Sequence, residues 1–126
     1  MTKELNIQKS IMIAVSHFSR VFRNNVGTGW VGKVSSTNDG GKYIADARPL
    51  HSGLCTGSSD LIGWTTKEIT PDMVGTKVAI FTAIEVKTPN GKASPEQLNF
   101  INQVQKSGGI AGIARSENDA VELVKK

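Results

Sequence analysis

The sequence predicts one α/β domain in which helices cover the faces of a mixed β-sheet. Three observations carry this prediction. The length of 126 residues is that of a single domain. Apolar residues make up 38% and charged residues 21%, and no window approaches the ~20 consecutive apolar residues of a membrane span. Helical and strand patterns then alternate in the order helix, strand, hairpin, strand, strand, helix, strand, helix.

The first half of the chain begins with a helical pattern and continues with strands. Apolar residues spaced three and four apart predict an amphipathic helix over residues 3–19, with Thr2 as its N-cap. A short strand is expected over residues 21–26. Residues 30–34 and 42–45 flank an Asn-Asp-Gly-Gly sequence, which is typical of a β-hairpin turn.

The second half of the chain contains three predicted strands and two predicted helices. The strands cover residues 61–64, 78–86 and 110–114, and the middle one is a long run rich in β-branched residues. Ser94 begins the first of these helices as an N-cap, with Gln97 completing a capping box. Ser116 is the expected N-cap of the last helix.

Charge and cysteine content limit the partners and the compartment. The chain has a net charge of +4, and five of its basic residues lie between residues 20 and 48 with only two acidic ones. Such a basic segment favours a polyanionic partner, although many domains are this basic without having one. Cys55 is the only cysteine, which excludes an internal disulfide. Together with an N-terminus unlike a signal peptide, it predicts a reducing, cytoplasmic setting.

Glu85, Val86 and Lys87 end the predicted strand over residues 78–86. Because successive strand side chains point to opposite faces, Glu85 and Lys87 share one face and Val86 points to the other. One interpretation is an ordinary ion pair at the exposed end of a strand. The other is an active site, since a carboxylate and an ammonium on a sheet face are costly unless they are paired or bind a metal.

A third charged residue favours the active-site interpretation. Asp60 follows a run of small residues and precedes the predicted strand over residues 61–64. If that strand lies beside residues 78–86, Asp60 and Glu85 meet at one edge of the sheet. Two carboxylates this close repel each other unless a cation lies between them.

This arrangement indicates a hard divalent cation. Mg²⁺ or Mn²⁺ takes oxygen ligands such as Asp60 and Glu85, and the backbone carbonyl of Val86 is a possible third ligand. Lys87 would then orient and deprotonate the attacking water, or stabilise the charge that develops on a phosphate.

The chain resembles the VRR-NUC branch of the PD-(D/E)xK nuclease superfamily over nearly its whole length. Two central motifs carry the resemblance: Gly57-Ser58-Ser59-Asp60-Leu61-Ile62-Gly63-Trp64, and Glu85-Val86-Lys87-Thr88-Pro89-Asn90-Gly91-Lys92-Ala93-Ser94-Pro95-Glu96-Gln97. The tail over residues 108–116 is similar as well. Residues 22–27 resemble small stand-alone members, which are often phage- or prophage-borne. One departure is Ser59, which stands where the superfamily has its proline.

The resemblance implies a restriction-endonuclease-like fold with an αβββαβ core, here with an inserted β-hairpin. It also implies a metal-dependent endonuclease that acts on DNA, often on branched structures such as Holliday junctions. The family's catalytic residues fall on Asp60, Glu85, Lys87 and Gln97, and an acidic residue of the first helix falls on Glu4. Gln97 has an alternative role as a helix cap, and Glu4 as an ordinary first-turn carboxylate.

Four residues are the expected DNA contacts, and we predict a homodimer that cuts two strands symmetrically. The contacts are Arg23, Asn24, Lys33 and Arg48. The first helix and the hairpin are the expected dimer interfaces. The competing interpretation is a non-catalytic basic module that binds DNA or a protein and retains the nuclease fold, and a structural phage or plasmid protein is a second alternative.

Overall fold

The structure, a computed structural model, describes residues 3–125 and confirms the α/β class. Within those residues it has three α-helices, six strands and one short 3₁₀ helix, Pro71–Met73. In chain order the α-helices and strands are α1 (Lys3–Val15), β1 (Ser19–Arg23), β2 (Gly27–Ser36), β3 (Lys42–Ser52), β4 (Leu61–Thr65), β5 (Thr82–Val86), α2 (Pro95–Lys106), β6 (Ile110–Ala114) and α3 (Glu117–Lys125). Thr2, the predicted N-cap, lies outside the described residues.

The strands pair in three two-stranded ladders: β1 with β4, β2 with β3, and β5 with β6. The β2–β3 pair is antiparallel and the β5–β6 pair is parallel, so both kinds of pairing that the sequence predicts are present. The ladder partner of β4 is β1. The pairing of residues 61–64 with residues 78–86, which was the condition for Asp60 and Glu85 to meet at one edge, is not among the ladders of the described residues. By its internal contacts the chain divides into two compact units, Met1–Gly63 and Trp64–Lys126.

The first unit begins with α1, which is shorter than the predicted helix over residues 3–19. The chain leaves the helix through two turn hydrogen bonds, from the Ser16 amide to the Ile13 carbonyl and from the Phe18 amide to the Val15 carbonyl. β1 therefore begins at Ser19, two residues before the predicted strand. The apolar stripe of α1 is present, but Ile7 and Ile11 are 51% and 44% exposed.

The β2–β3 hairpin is longer than predicted. Its ladder extends from the Ser36–Lys42 pair at the turn to the Gly27–Ser52 pair, with an irregularity next to Val31. At the turn, Asp39 accepts hydrogen bonds from the Thr37 hydroxyl and the Gly41 amide. These two bonds, the hydroxyl bond most, lower the pKa of the Asp39 carboxyl.

The pairing of β1 with β4 requires a glycine at position 63. A Cβ added to Gly63 would lie 1.8 Å from the Arg20 carbonyl oxygen, a distance that no side chain tolerates. One residue beyond β1, the Asn24 amide donates to the Asp60 carbonyl at 2.8 Å. The close approach of the two strands therefore fixes the backbone of Asp60 against the end of β1.

The second unit is built on the parallel pair of β5 and β6, with α2 connecting them. Its buried side chains are Val104 of α2 and Ala111 and Ala114 of β6. The strand predicted over residues 78–86 is shortened to Thr82–Val86, because β6 offers only five residues for the parallel ladder. β6 itself has the predicted bounds.

The last helix, α3, packs directly on β6. A Cβ added to Gly112 in β6 would lie 2.6 Å from Leu123 Cδ2, so the small residue lets the helix lie close to the strand. Ser116 caps α3 as predicted, with its hydroxyl accepting from the Asp119 amide at 3.2 Å. None of the three helices within residues 3–125 has the length and hydropathy that crossing a bilayer requires.

Candidate active site

Glu85 and Lys87 lie on the same face of β5, as predicted. Burial alternates along the strand, so that Ala83 and Glu85 are half-buried while Val86 is 75% exposed. The Lys87 ammonium lies 3.3 Å from Glu85 Oε1, and the two side chains are 21% and 29% exposed. The two groups thus form an ion pair on the half-buried face of the strand.

The N-terminus of α2 is held by the predicted capping box. The Ser94 hydroxyl accepts from the Gln97 amide at 3.1 Å, and Gln97 Oε1 accepts from the Ser94 amide at 2.8 Å. Pro95 occupies the first helical position, where its missing amide hydrogen costs nothing. The capping role of Gln97, one of the two alternatives, is therefore confirmed.

Gln97 also contacts the carboxylate of Glu85. Its Nε2 donates to Glu85 Oε1 at 2.8 Å, while its Oε1 remains bound to the Ser94 amide. The side-chain amide of Gln97 therefore connects the start of α2 to the end of β5. Glu85 Oε1 accepts a hydrogen bond from Gln97 and forms an ion pair with Lys87, and both contacts hold the carboxylate in one orientation.

The loop between Lys87 and Ser94 is held by an arginine that sequence reasoning did not select. Arg115 Nη1 donates to the Thr88 carbonyl at 2.7 Å and to the Gly91 carbonyl at 2.6 Å. The Lys87 amide donates to the Ala114 carbonyl at 3.1 Å. The only sequence signal for Arg115 was its place in the tail that resembles the family.

Asp60 belongs to the first unit, at an exposed position immediately before β4. The loop that leads to it is held by the side chain of Asn24, which donates to Ser58 Oγ at 2.6 Å and to the Ser59 carbonyl at 2.9 Å. Asn24 Oδ1 accepts from the Leu54 amide at 2.9 Å. Asn24 is one of the expected DNA contacts, and the structure shows its side-chain amide hydrogen-bonded within this loop.

The other predicted contacts also lie in the first unit. Glu4 is exposed in the first turn of α1, and Arg23 is exposed at the end of β1. Lys33 and Arg48 are exposed on the hairpin, where Lys33 pairs with Ala45 and Arg48 pairs with Val31. Their exposure leaves the three cations accessible to a polyanion, and their role in binding DNA stays a prediction.

The Glu85 carboxylate and the backbone carbonyl of Val86 are oxygen donors of the type that a hard divalent cation accepts. Among the described residues, no group of three or more histidine, cysteine, aspartate or glutamate side chains is placed to hold a metal. Carboxylates and carbonyls are nevertheless the ligands that Mg²⁺ accepts, and it typically binds one or two carboxylates and keeps several waters. Cys55 is exposed, and His51 shares a hydrogen bond of 3.1 Å with the Thr28 hydroxyl.

The comparison with known families gives one match. The sequence model of the VRR-NUC domain, a nuclease domain of the PD-(D/E)xK type, matches residues 41–118, which is more than half of the chain. The chain therefore belongs to the VRR-NUC family. No curated protein and no solved structure matches it. The matched range contains Asp60, Glu85, Lys87 and Gln97, whereas Glu4 lies before it.

Proposed function

We propose that this chain is a divalent-metal-dependent endonuclease that hydrolyses DNA phosphodiester bonds. The observation that carries the proposal is the cluster of Glu85, Lys87 and Gln97, in which a hydrogen bond and an ion pair orient one carboxylate of β5. A protein that only binds DNA gains nothing from such a carboxylate, because it repels phosphates. Membership in a nuclease family supports the same reaction class.

The proposed metal ligands are Asp60, Glu85 and the backbone carbonyl of Val86. Glu85 would hold the cation through its carboxylate, whose Oε1 accepts from Gln97 and pairs with Lys87. When bound, Mg²⁺ or Mn²⁺ supplies Lewis acidity at the scissile phosphate. Glu4, exposed in the first turn of α1, is proposed to assist as an additional acidic group.

Lys87 and Gln97 have separate proposed roles in the reaction. The Lys87 ammonium, held on the same face as Glu85, orients the attacking water or stabilises the negative charge that develops on the phosphate. Gln97 keeps the Glu85 carboxylate in its binding orientation while Ser94 fixes Gln97. The protein thus supplies positioning and charge, which are the main contributions to phosphoryl-transfer catalysis.

The proposed substrate is branched DNA of the Holliday-junction type, which a homodimer would cut. A junction has two strands to cut in symmetric positions, and one chain provides one such site. The exposed cations Arg23, Lys33 and Arg48 are the proposed phosphate contacts. The cytoplasmic setting, suggested by the single cysteine, stays a prediction.

The test is cleavage of a labelled junction by the purified chain with Mg²⁺ or Mn²⁺, with EDTA as the metal-free control. Lys87→Ala and, separately, Asp60→Asn should lower the cleavage rate at least roughly a thousandfold. The first removes the proposed stabilisation of charge at the phosphate, and the second removes a proposed metal ligand. DNA affinity should stay unchanged in both variants, since it depends on cations elsewhere. Lys92→Ala, which alters an exposed lysine of the loop after β5, is the matched control and should cleave normally.

Two outcomes would contradict the proposal. If either Lys87→Ala or Asp60→Asn cleaved at the wild-type rate, the site would lie elsewhere. If the wild-type chain bound junctions but did not cut them with any divalent metal, the alternative of a non-catalytic DNA-binding module would replace the nuclease.

A further inference from the structure

The side chain of Asn24 joins the end of β1 to the loop over residues 54–59. Its Nδ2 donates to Ser58 Oγ at 2.6 Å and to the Ser59 carbonyl at 2.9 Å, and its Oδ1 accepts from the Leu54 amide at 2.9 Å. The Asn24 backbone amide donates to the Asp60 carbonyl at 2.8 Å. One half-buried residue therefore holds both ends of the loop and the backbone of the residue that follows it.

The loop depends on these contacts because its own interactions are few. Ser58 Oγ donates to the Cys55 carbonyl at 2.7 Å and the Ser58 amide donates to the same carbonyl at 3.0 Å, which closes one turn. The segment of Gly57, Ser58 and Ser59 offers no large side chain that packs, and its members are small residues with wide conformational freedom. The bonds from Asn24 supply the restraint that packing does not.

The same bonds leave Asn24 little capacity to bind a phosphate. An asparagine amide nitrogen has two hydrogens, and in Asn24 one is donated to Ser58 and the other to Ser59. A phosphate oxygen accepts hydrogen bonds and does not donate them, so Asn24 Oδ1 cannot serve it. A DNA contact by this side chain would have to break the loop that it holds.

We propose that Asn24 is a positioning residue for Asp60 rather than a DNA contact. The proposal rests on the proposed function, in which Asp60 binds the divalent cation. When Asn24 is lost, the loop samples other conformations and the carboxylate occupies its binding position for a smaller fraction of the time. The apparent metal affinity then falls in proportion to that fraction, while the affinity for DNA does not change.

The test measures the metal dependence of junction cleavage in Asn24→Ala. We expect the half-saturating Mg²⁺ concentration to rise roughly tenfold, as for other residues that orient metal ligands, with most of the cleavage rate regained at saturating metal. DNA affinity measured without metal should stay at the wild-type value. Asn25→Ala is the matched control, because the neighbouring Asn25 is exposed and its backbone carbonyl, which accepts from Ser52 Oγ, survives the change.

A second variant keeps the test decisive if Asn24→Ala proves unstable. Ser58→Ala removes one of the three side-chain bonds of Asn24, so it should shift the metal dependence in the same direction by a smaller factor. The double variant should shift it by less than the product of the two single shifts, because the two residues share that bond.

Each result bears on the proposal. An Asn24→Ala protein with weaker DNA binding and normal metal dependence would make Asn24 a DNA contact and overturn the positioning role. Equal metal dependence in Asn24→Ala and wild type would overturn it as well. A wild-type chain that neither binds Mn²⁺ in calorimetry nor cleaves DNA would contradict the proposed function itself, which is a different result from either of these.

Discussion

At the scale of single residues, Gln97 contributes both to the cap of α2 and to the proposed active site. One end of its amide completes the cap of α2, and the other end donates to Glu85. These two contacts use opposite ends of one planar group, so a substitution can remove one and keep the other. The capping role is therefore observed, and the contact with Glu85 is compatible with the proposed catalytic role of the same side chain.

Gln97→Glu should separate the two contacts of this side chain. Glutamate retains the oxygen that accepts from the Ser94 amide, since a glutamate at this position also completes a capping box. It cannot donate to Glu85, and it places a second negative charge beside that carboxylate. We expect the unfolding temperature to stay within about 2 °C of the wild-type value and single-turnover cleavage to fall about 10- to 100-fold.

Gln97→Ala provides the comparison, because it removes both contacts. It should lower cleavage similarly and also lower the free energy of unfolding by about 0.5–1 kcal/mol, the usual effect of losing a helix cap. Urea unfolding measures the second quantity. Normal cleavage by Gln97→Glu would reduce Gln97 to a capping residue.

At the scale of secondary-structure elements, the loop between β5 and α2 is fixed by a residue beyond β6. Arg115 follows β6 directly, and its Nη1 donates hydrogen bonds to the carbonyls of Thr88 and Gly91 in that loop. Its own backbone amide donates to Asp119 Oδ2 at 2.9 Å, in the first turn of α3. The loop, β6 and α3 are thereby joined at one end of the second unit.

Arg115→Ala should therefore loosen this loop. Three hydrogen bonds from a charged donor, to the carbonyls of Thr88, Pro89 and Gly91, are lost. Because Arg115 is exposed, the expected cost is about 1 kcal/mol of unfolding free energy. Limited proteolysis should cut the loop faster after the change, at Lys92 with trypsin. Arg115→Lys should behave like Arg115→Ala, since an ammonium lacks the planar geometry of the guanidinium.

The control for Arg115 is Lys125→Ala, which removes a cation at the end of α3 with no bond to the loop. It should leave both unfolding and the rate of loop cleavage unchanged. An Arg115→Ala protein with wild-type proteolysis would show that the turn itself holds the loop, through the bond from the Gly91 amide to the Thr88 carbonyl.

Local patterns predicted the elements whose signals are contained in a few residues. The capping box of α2 and the bounds of β6 agree with the prediction, because the cap is a four-residue motif and the strand follows a helix stop. The length of β5 could not be predicted, because it depends on how many residues β6 offers it. Periodicity indicates which residues favour a strand, but it does not indicate which other strand they pair with or over what length.

The candidate site was likewise predicted only in part. Glu85, Lys87 and Gln97 lie within thirteen positions, and the alternation of strand residues was enough to place two of them on one face. The side-chain hydrogen bonds of Asn24 and Arg115 could not be predicted, because they join residues 24 to 35 positions apart in the sequence. A bond of that kind depends on the fold as a whole and leaves no periodic signal.

At the scale of the whole molecule, the described residues expose several large apolar side chains of the first unit. Trp30 and Tyr43 of the hairpin are 63% and 62% exposed, and Ile7 and Ile11 of α1 are about half exposed. The hairpin strands contact chiefly each other. Since an isolated two-stranded hairpin is only marginally stable in water, these surfaces favour the proposed homodimer.

We predict a species of about 27 kDa, twice the chain mass of 13.5 kDa, in sedimentation at micromolar concentration. Ile11→Glu in α1 and Trp30→Ser in the hairpin test the two expected interfaces, and one of them should shift the mass to that of one chain. Lys9→Glu, an exposed change of charge in α1, is the matched control and should leave the dimer intact. A monomeric wild-type chain that still makes paired, symmetric cuts would contradict the dimer.

Because Gln97 both caps α2 and contacts Glu85, its presence in a relative of this chain does not by itself indicate an active enzyme. A descendant that lost Glu85 would lose the proposed reaction, yet its helix α2 would still need the bond between Gln97 and the Ser94 amide. Folding alone would then preserve the glutamine in a degenerate, inactive copy. The presence of Gln97 is therefore weak evidence of activity, and the pair of Glu85 and Lys87, which no helix cap requires, is the better diagnostic.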